Sequence, residues 1–367
     1  MKEEVPLLEI KTSDAESGAK ILVVGVGGAG NNAVNRMIED SINNVEFYVL
    51  NTDKQALSLS KAKNRITIGK DVTKGLGAGG DPSVGKKAAE ASKDEIKQIV
   101  EGANLVFVAA GMGGGTGTGA APVICRIAKE AGALAIAIVT RPFSFEGNRK
   151  IQYSVEGLNE LRESCDALIV VSNDKLITHA GKLSLMNAFS EADGVLSLSV
   201  KTVTDLILMP AIMNSDYADV ERLLKGEGVA FIGFGTGRGP KKSEDAALSA
   251  LNCDYIEQSI VGATKGICHI TCGPDVTLFE AQECINYIIQ RSGKQMDLKF
   301  GICVNDQLED SIAVSLLASG YGNDVSFEAK KIEDVTPLHE ETIIEDNAKT
   351  DDDFENDIIP NFLENKN

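Results

Sequence analysis

Residues 104–130 read NLVFVAAGMGGGTGTGAAPVICRIAKE: an unbroken apolar run, a loop dense in glycine, then an amphipathic run. The first run predicts a strand buried on both faces and the last predicts a helix. Glycine loses more freedom on folding than any other residue, so the cluster Gly113, Gly114, Gly115, Gly117 and Gly119 requires an unusual turn or a closely approaching ligand. Free backbone amides at a strand-to-helix junction, with Thr116 and Thr118 as hydroxyl donors, suit an anion.

The same grammar occurs upstream in AKILVVGVGGAGNNAVNRMIED (residues 19–40), where Gly25 to Gly30 satisfy G-x-G-x-x-G between a strand and a helix. Taken alone, this fits a dinucleotide fold with Asp53 of LNTD as the ribose acid, or glycines that only let helix and strand pack. VEFYVLNTD, GALAIAIVT and CDALIVVSND add strands separated by helix-like stretches, which predicts a parallel sheet with its polar loops along one edge. Two anion cradles on that edge point to several phosphates of one nucleotide and weigh against NAD. A third glycine loop, GLGAGGDPSVGKK (75–87), falls short of a P-loop because Lys87 stands where Ser or Thr is required and no apolar strand precedes it.

A chain of 367 residues exceeds what one core supports, so two packed domains are expected. The strongly apolar AFSEADGVLSLSVKTVTDLIL (188–208) reads as a helix buried between them, and VAFIGFGTG, GICHITC, DLKFGICVN and SIAVSLLASG as strands of the second. The expected division is a disordered segment 1–18, a nucleotide-binding domain 19–187, a core helix 188–210, a smaller α/β domain 211–322, an acidic disordered linker 323–356 and an apolar peptide 357–367. Net charge is -18, and residues 323–367 hold 14 acids against 4 bases. Such a balance argues against nucleic-acid or anionic-membrane partners.

Seven cysteines without a C-x-x-C pair read as buried thiols of a reducing compartment, and alternation along GICHITC sets Cys268 and Cys272 against His269, which argues against a metal site. With no secretion signal and no membrane-length apolar run, a cytoplasmic location is expected.

GGGTGTG at 113–119 resembles the signature of the tubulin/FtsZ GTPase family. GVGGAGNNAVNRM, NTDKQAL, GLGAGGDP, TRPFSFEG and SND resemble its other nucleotide loops, as the bacterial cell-division branch carries them, in order and at matching spacing. The resemblance runs from about Lys20 to Gly320, and DIIPNFL resembles the family's C-terminal peptide. It implies a tubulin-like α/β fold: a Rossmann-type parallel-sheet GTPase domain joined by a long core helix to a smaller domain with a mixed sheet. It further implies GTP and GDP with Mg2+ as cofactors, and a head-to-tail homopolymer that builds the division ring at midcell.

Carried over by position, Gly28, Ala29, Gly30, Asn31, Asn32, Gly115, Thr116 and Gly117 lie near the phosphates. Glu146 holds the ribose with Lys150 nearby, Asn173 and Asp193 read the guanine edge, and Phe189 packs on the base. In MNSDYADVERLL, Asp216 and Asp219 are three apart on one face of a helix start, which by itself reads as capping. The stretch resembles the family's catalytic loop, so Asn214, Asp216 and Asp219 are implied to act on water in the neighbouring subunit's site. Lys150 where Arg is common, Ser172 where Pro is common, and Ser215 and Tyr217 in the catalytic loop depart from the pattern. Residues Asp357 to Leu363 are implied to dock on membrane anchors and regulators, without direct membrane insertion. A Rossmann oxidoreductase and a non-hydrolysing polymer are the rival readings.

Overall fold

The computed structural model describes residues 19–180, 185–208, 216–253, 255–292, 296–322 and 327–328. The expected segment 1–18, Asn214, the peptide 357–367 and all of the expected linker except Phe327 and Glu328 lie outside the described residues.

The larger sheet is built from β1 (Ile21–Val26), β2 (Glu46–Asn51), β3 (Asn64–Thr67), β4 (Leu105–Gly111), β5 (Leu134–Arg141), β6 (Ala167–Ser172) and β7 (Gly228–Val229). Its order is β3-β2-β1-β4-β5-β6-β7 and every pairing is parallel. Between these strands run α1 (Gly27–Glu39), α2 (Lys54–Ser58), α3 (Lys70–Thr73), α4 (Pro82–Ala91), α5 (Lys93–Val100), α6 (Thr116–Glu130), α7 (Asn148–Ser164), α8 (Asn173–Ala180), α9 (Leu185–Leu208) and α10 (Tyr217–Leu224). Alternate residues of one strand serve two cores: Leu105, Phe107 and Ala109 of β4 join the side holding α1 and α9, while Val106, Val108 and Ala110 join the side holding α4 and α6. That is why these strands are apolar without a break.

The second sheet comprises β8 (Phe231–Arg238), β9 (Lys265–Cys272), β10 (Asp297–Val304) and β11 (Ser311–Ser319), in the order β10-β9-β11-β8. One parallel pair, β10 with β9, makes it mixed. Helices α11 (Lys242–Leu251) and α12 (Leu278–Arg291) contribute Ala246, Ala250, Cys284 and Ile288 to its core. Ala192, Leu196, Val200 and Val203 of α9 lie in one continuous core that reaches from Ile136 of the large sheet to Ile267 of the small one.

Three expectations need correction. VAFIGFGTG is not one strand: Gly228 and Val229 pair with β6, and the chain turns at Ala230 into the second sheet. β3, NRIT, was invisible because it is a short edge strand with a single large apolar residue. Phe327, within the stretch expected to be disordered, is buried, and the Asn159 side-chain amide exchanges two 3.4 Å hydrogen bonds with its backbone.

All seven cysteines are free, six buried and Cys303 half-buried. His269 meets Cys303 Sγ at 3.3 Å, and no cluster of metal-ligating side chains occurs among the described residues.

Candidate functional site

In an open parallel sheet, ligands bind beyond the carboxyl ends of the strands where the order reverses, here between β1 and β4. Both strands lead directly into helices whose first turns have no side-chain cap: α1 follows Val26 and α6 follows Gly115. Asp53, Asp81, Asp216 and Thr277 cap other helix starts, while α3, α5, α7 and α11 also lack a side-chain cap. First-turn amides lack intrahelical acceptors, so two converging uncapped starts form a positively polarised cradle.

The cradle is the floor of a cleft of about 270 Å³ lined by Val26, Gly28, Ala29, Gly111, Met112, Gly114 to Gly117, Thr140, Pro142, Glu146, Lys150, Asn173, Phe189, Ala192 and Asp193. Ten of the thirteen nucleotide-contacting residues expected from sequence therefore converge. Gly30, Asn31 and Asn32 do not line it. A Cβ on Gly30 would collide with the Ala109 carbonyl, so this glycine lets α1 pack on β4. Asn31 is buried; with its amide assigned so that the nitrogen faces the backbone carbonyls, it donates to Gly27 O at 2.9 Å and Gly25 O at 3.2 Å and braces the turn. Asn32 is exposed.

The second loop also divides its labour. A Cβ would have open space at Gly28 and Gly114, whereas at Gly119 it would strike Pro82 O of α4. Thr118 is buried, and its hydroxyl accepts the Gly113 N–H at 2.8 Å, so the nest is narrower than the glycine count suggests. Asp53 caps α2, where Oδ1 accepts from Gln55 N at 2.8 Å and Ala56 N at 3.2 Å, and it does not line the cleft, which argues against the ribose acid of the dinucleotide reading. In the third loop Asp81 caps α4, and a Cβ on Gly85 would meet the Gly115 carbonyl, so that stretch packs on the cradle.

At the other end of the cleft, Asn173 is buried and its Oδ1 has no hydrogen-bond partner among the described residues. Burial pushes the Asp193 carboxyl up to about 7, with Arg36 opposing only in part. Phe189 is 43% exposed and meets Phe143 edge-on at 5.1 Å, a flat apolar face beside the Asn173 amide and the Asp193 carboxyl. Glu146 accepts the Phe143 N–H at 2.9 Å through one oxygen and pairs with Lys150 at 2.8 Å through the other. Ser172 uses the N–H that proline would lack, donating to Tyr255 O at 2.8 Å. Sequence reasoning missed Thr140, Met112 and Val26 in the floor; their signal was position at or just beyond a strand end.

Asp216 and Asp219 are elsewhere. They form a reciprocal capping box on α10: Asp216 Oδ1 accepts Asp219 N–H at 3.0 Å, and Asp219 Oδ2 accepts Asp216 N–H at 3.1 Å. Burial opposes ionisation of Asp219, but the Lys299 ammonium and the Asp216 N–H outweigh it and hold the carboxyl below its ordinary value. Tyr217 Oη donates to Asn104 O at 2.8 Å, fastening this turn next to the start of β4. Seven residues of β4 separate that edge from Gly111 at the cleft, roughly 20 Å at about 3.3 Å per residue. A groove of about 810 Å³, larger than the cleft, adjoins the acids at Arg222, Lys265 and Lys299. Lys299 pairs with Asp219 and Lys265 with Glu227, so its cations are engaged already.

Residues 20–181 match the tubulin/FtsZ family GTPase domain, and residues 228–322 the FtsZ family C-terminal domain. An FtsZ dimer from M. jannaschii is 39% identical, with a TM-score of 0.77 over 83% of this chain and 89% of that one. CetZ2 from Haloferax volcanii, solved as a GTPγS-bound protofilament, is 21% identical with a TM-score of 0.68 over 82% and 93%. CetZ1 from the same organism, a GDP-bound monomer, is 22% identical with a TM-score of 0.69 over 83% and 95%, so both share the fold. With its GTPase and C-terminal domains matched in order, the chain belongs to the tubulin/FtsZ family.

Proposed function

We propose that this protein is a GTPase of the FtsZ type that polymerises head to tail, hydrolyses GTP only in the polymer, and builds the division ring at midcell. The observation that carries the reading is the separation just described: the cleft lies at one edge of the sheet and Asp216 and Asp219 lie at the other. No chain can bring its own acids to its own cleft, whereas a second copy stacked in the same orientation presents them. Such heterologous contacts do not close on themselves and give an open filament.

Residues 19–187 bind the nucleotide, the helix within 188–210 couples the halves, and 211–322 activates the neighbour. The α1 and α6 amides cradle the phosphates, Glu146 and Lys150 border the ribose, Phe189 covers the base, and Asn173 and Asp193 read it. Phosphoryl transfer needs mainly positioning and charge neutralisation, which Mg2+ supplies when bound on the phosphates.

Asp219 is committed to Lys299, and Asp216 Oδ2 has no partner among the described residues, so Asp216 orients the attacking water and Asp219 holds Asp216. Asn214 completes the loop, and residues 357–363 dock on membrane anchors and regulators from the cytoplasmic side. Among the described residues, no helix is long and apolar enough to cross a membrane.

Phosphate release and light scattering, measured against protein concentration with GTP, ATP or NADH, test the reading. GTP-specific release that rises only above a critical concentration is expected. Release independent of assembly refutes the shared site, GTP binding without release favours a passive scaffold, and NADH binding favours the oxidoreductase.

A further inference from the structure

Thr52 lies behind the cradle, fully buried, in the turn after β2, and its Oγ1 is 2.7 Å from Oγ1 of Thr116, the first residue of α6. This is the side-chain hydrogen bond that Thr52 makes. A buried hydroxyl must place its hydrogen on an acceptor, and here the acceptor is Thr116 Oγ1. With Thr52 as donor, the Thr116 hydrogen is left over, and Thr116 lines the cleft. The reverse arrangement would strand the Thr52 hydrogen in a dry interior.

The Thr52 carbonyl accepts Gly77 N–H at 3.1 Å and Thr73 Oγ1–H at 3.2 Å, so the residue that orients Thr116 also holds the third glycine loop. The geometry points to Thr52 as a positioning residue that fixes the Thr116 hydroxyl as a hydrogen-bond donor to the nucleotide's phosphates. This rests on the nucleotide reading of the cleft. Thr52 itself touches no ligand; it acts by removing the alternative in which Thr116 spends its hydrogen on protein.

The test is competitive displacement of a fluorescent GTP analogue, below the assembly concentration, by GTP, GDP and guanosine from the full chain and its Thr52→Val, Thr52→Ser and Thr116→Ala variants. Thr52→Val should weaken GTP and GDP about tenfold, the scale of one hydrogen bond to a charged group, and leave guanosine within about twofold. Thr52→Ser restores phosphate binding. Adding Thr52→Val to Thr116→Ala should cause no further loss, because the two act through one hydroxyl.

Unchanged GTP affinity in Thr52→Val, an equal loss for guanosine, or additive losses in the double variant would overturn the inference. If Thr52→Val does not melt cooperatively, Thr52→Ala takes its place in the same comparison. A parent chain that binds neither GTP nor guanosine refutes the nucleotide reading and this inference together. A parent that binds GTP beside an unaffected Thr52→Val refutes only the inference.

Discussion

Asp216→Ala and Asp216→Ser differ in one respect that separates the two roles of this residue. Both delete the carboxylate, but only serine keeps a side-chain oxygen able to accept the Asp219 N–H that Asp216 accepts at 3.0 Å. Losing an N-cap destabilises by about 1 kcal/mol, and serine is nearly as good a cap as aspartate. In a chain of 367 residues, that shifts the melting midpoint by only about 1 to 3 °C. Loss of a water-positioning group, by contrast, lowers turnover roughly 10²- to 10⁴-fold. Both variants should therefore bind GTP and co-sediment as filaments while releasing phosphate at least about a hundredfold more slowly, and only Asp216→Ala should melt earlier.

A mixing assay then examines the shared site directly. Asp216→Ser retains an intact cleft, and Gly114→Trp, placed where a Cβ meets open space, blocks the cleft but keeps the acid turn. Each alone should be inactive, and the mixture should recover phosphate release, because some junctions join an intact cleft to an intact acid turn. Normal turnover in Asp216→Ser would show that Asp216 is only a cap. Coassembly of two inactive variants with no recovery would refute the division of the site between copies.

The Asp193 carboxyl, raised to about 7, binds more protons folded than unfolded between its unfolded value near 4 and pH 7. Its stabilising contribution is thus present below about pH 4 and is lost as pH rises through about 7. Nucleotide-free Asp193→Asn should melt higher than the parent at pH 8, with the gap shrinking toward pH 5 in calorimetric scans, and should lose selectivity for GTP over ATP. Gly30→Ala should destabilise by about 1–3 kcal/mol through overpacking on Ala109, while Gly28→Ala, with open space, should unfold within about 0.5 kcal/mol of the parent in urea. Tyr217→Phe removes the bond to Asn104 O and should cost about 1 kcal/mol while slowing assembly-dependent hydrolysis without changing GTP affinity.

Strand identity was legible because Leu105 to Ala110 and Ile136 to Val139 bury both faces, which leaves no polar position to break the pattern. β3 and β7 were not, since their places depend on neighbours already in position. The glycine loops announced a cradle, but chain order alone does not separate Gly28 and Gly114, which face open space, from Gly30 and Gly119, which meet a carbonyl on another element. Asp53 looked like a ligand acid and Asp216 like a cap although both stand at a helix start.

On the proposed function, satisfaction of polar groups accounts for a free subunit that folds yet does not hydrolyse GTP. The acid turn is complete in itself, with both capping bonds made and Asp219 held by Lys299, so it folds without a partner. The cleft is complete at its phosphate end except for amides that water can serve. At the Phe189 end, Asn173 keeps a buried oxygen with no partner among the described residues, and burial raises the Asp193 carboxyl to about 7. A stranded buried acceptor costs about 1–3 kcal/mol, which a ligand recovers only by presenting hydrogen-bond donors at that spot. On the proposed reading, guanine, which carries adjacent N–H donors on one edge where adenine does not, satisfies Asn173 Oδ1, and the cost of leaving that oxygen stranded works against ATP. On the same reading, base recognition is the step that completes a subunit's cleft before a neighbour's acids arrive.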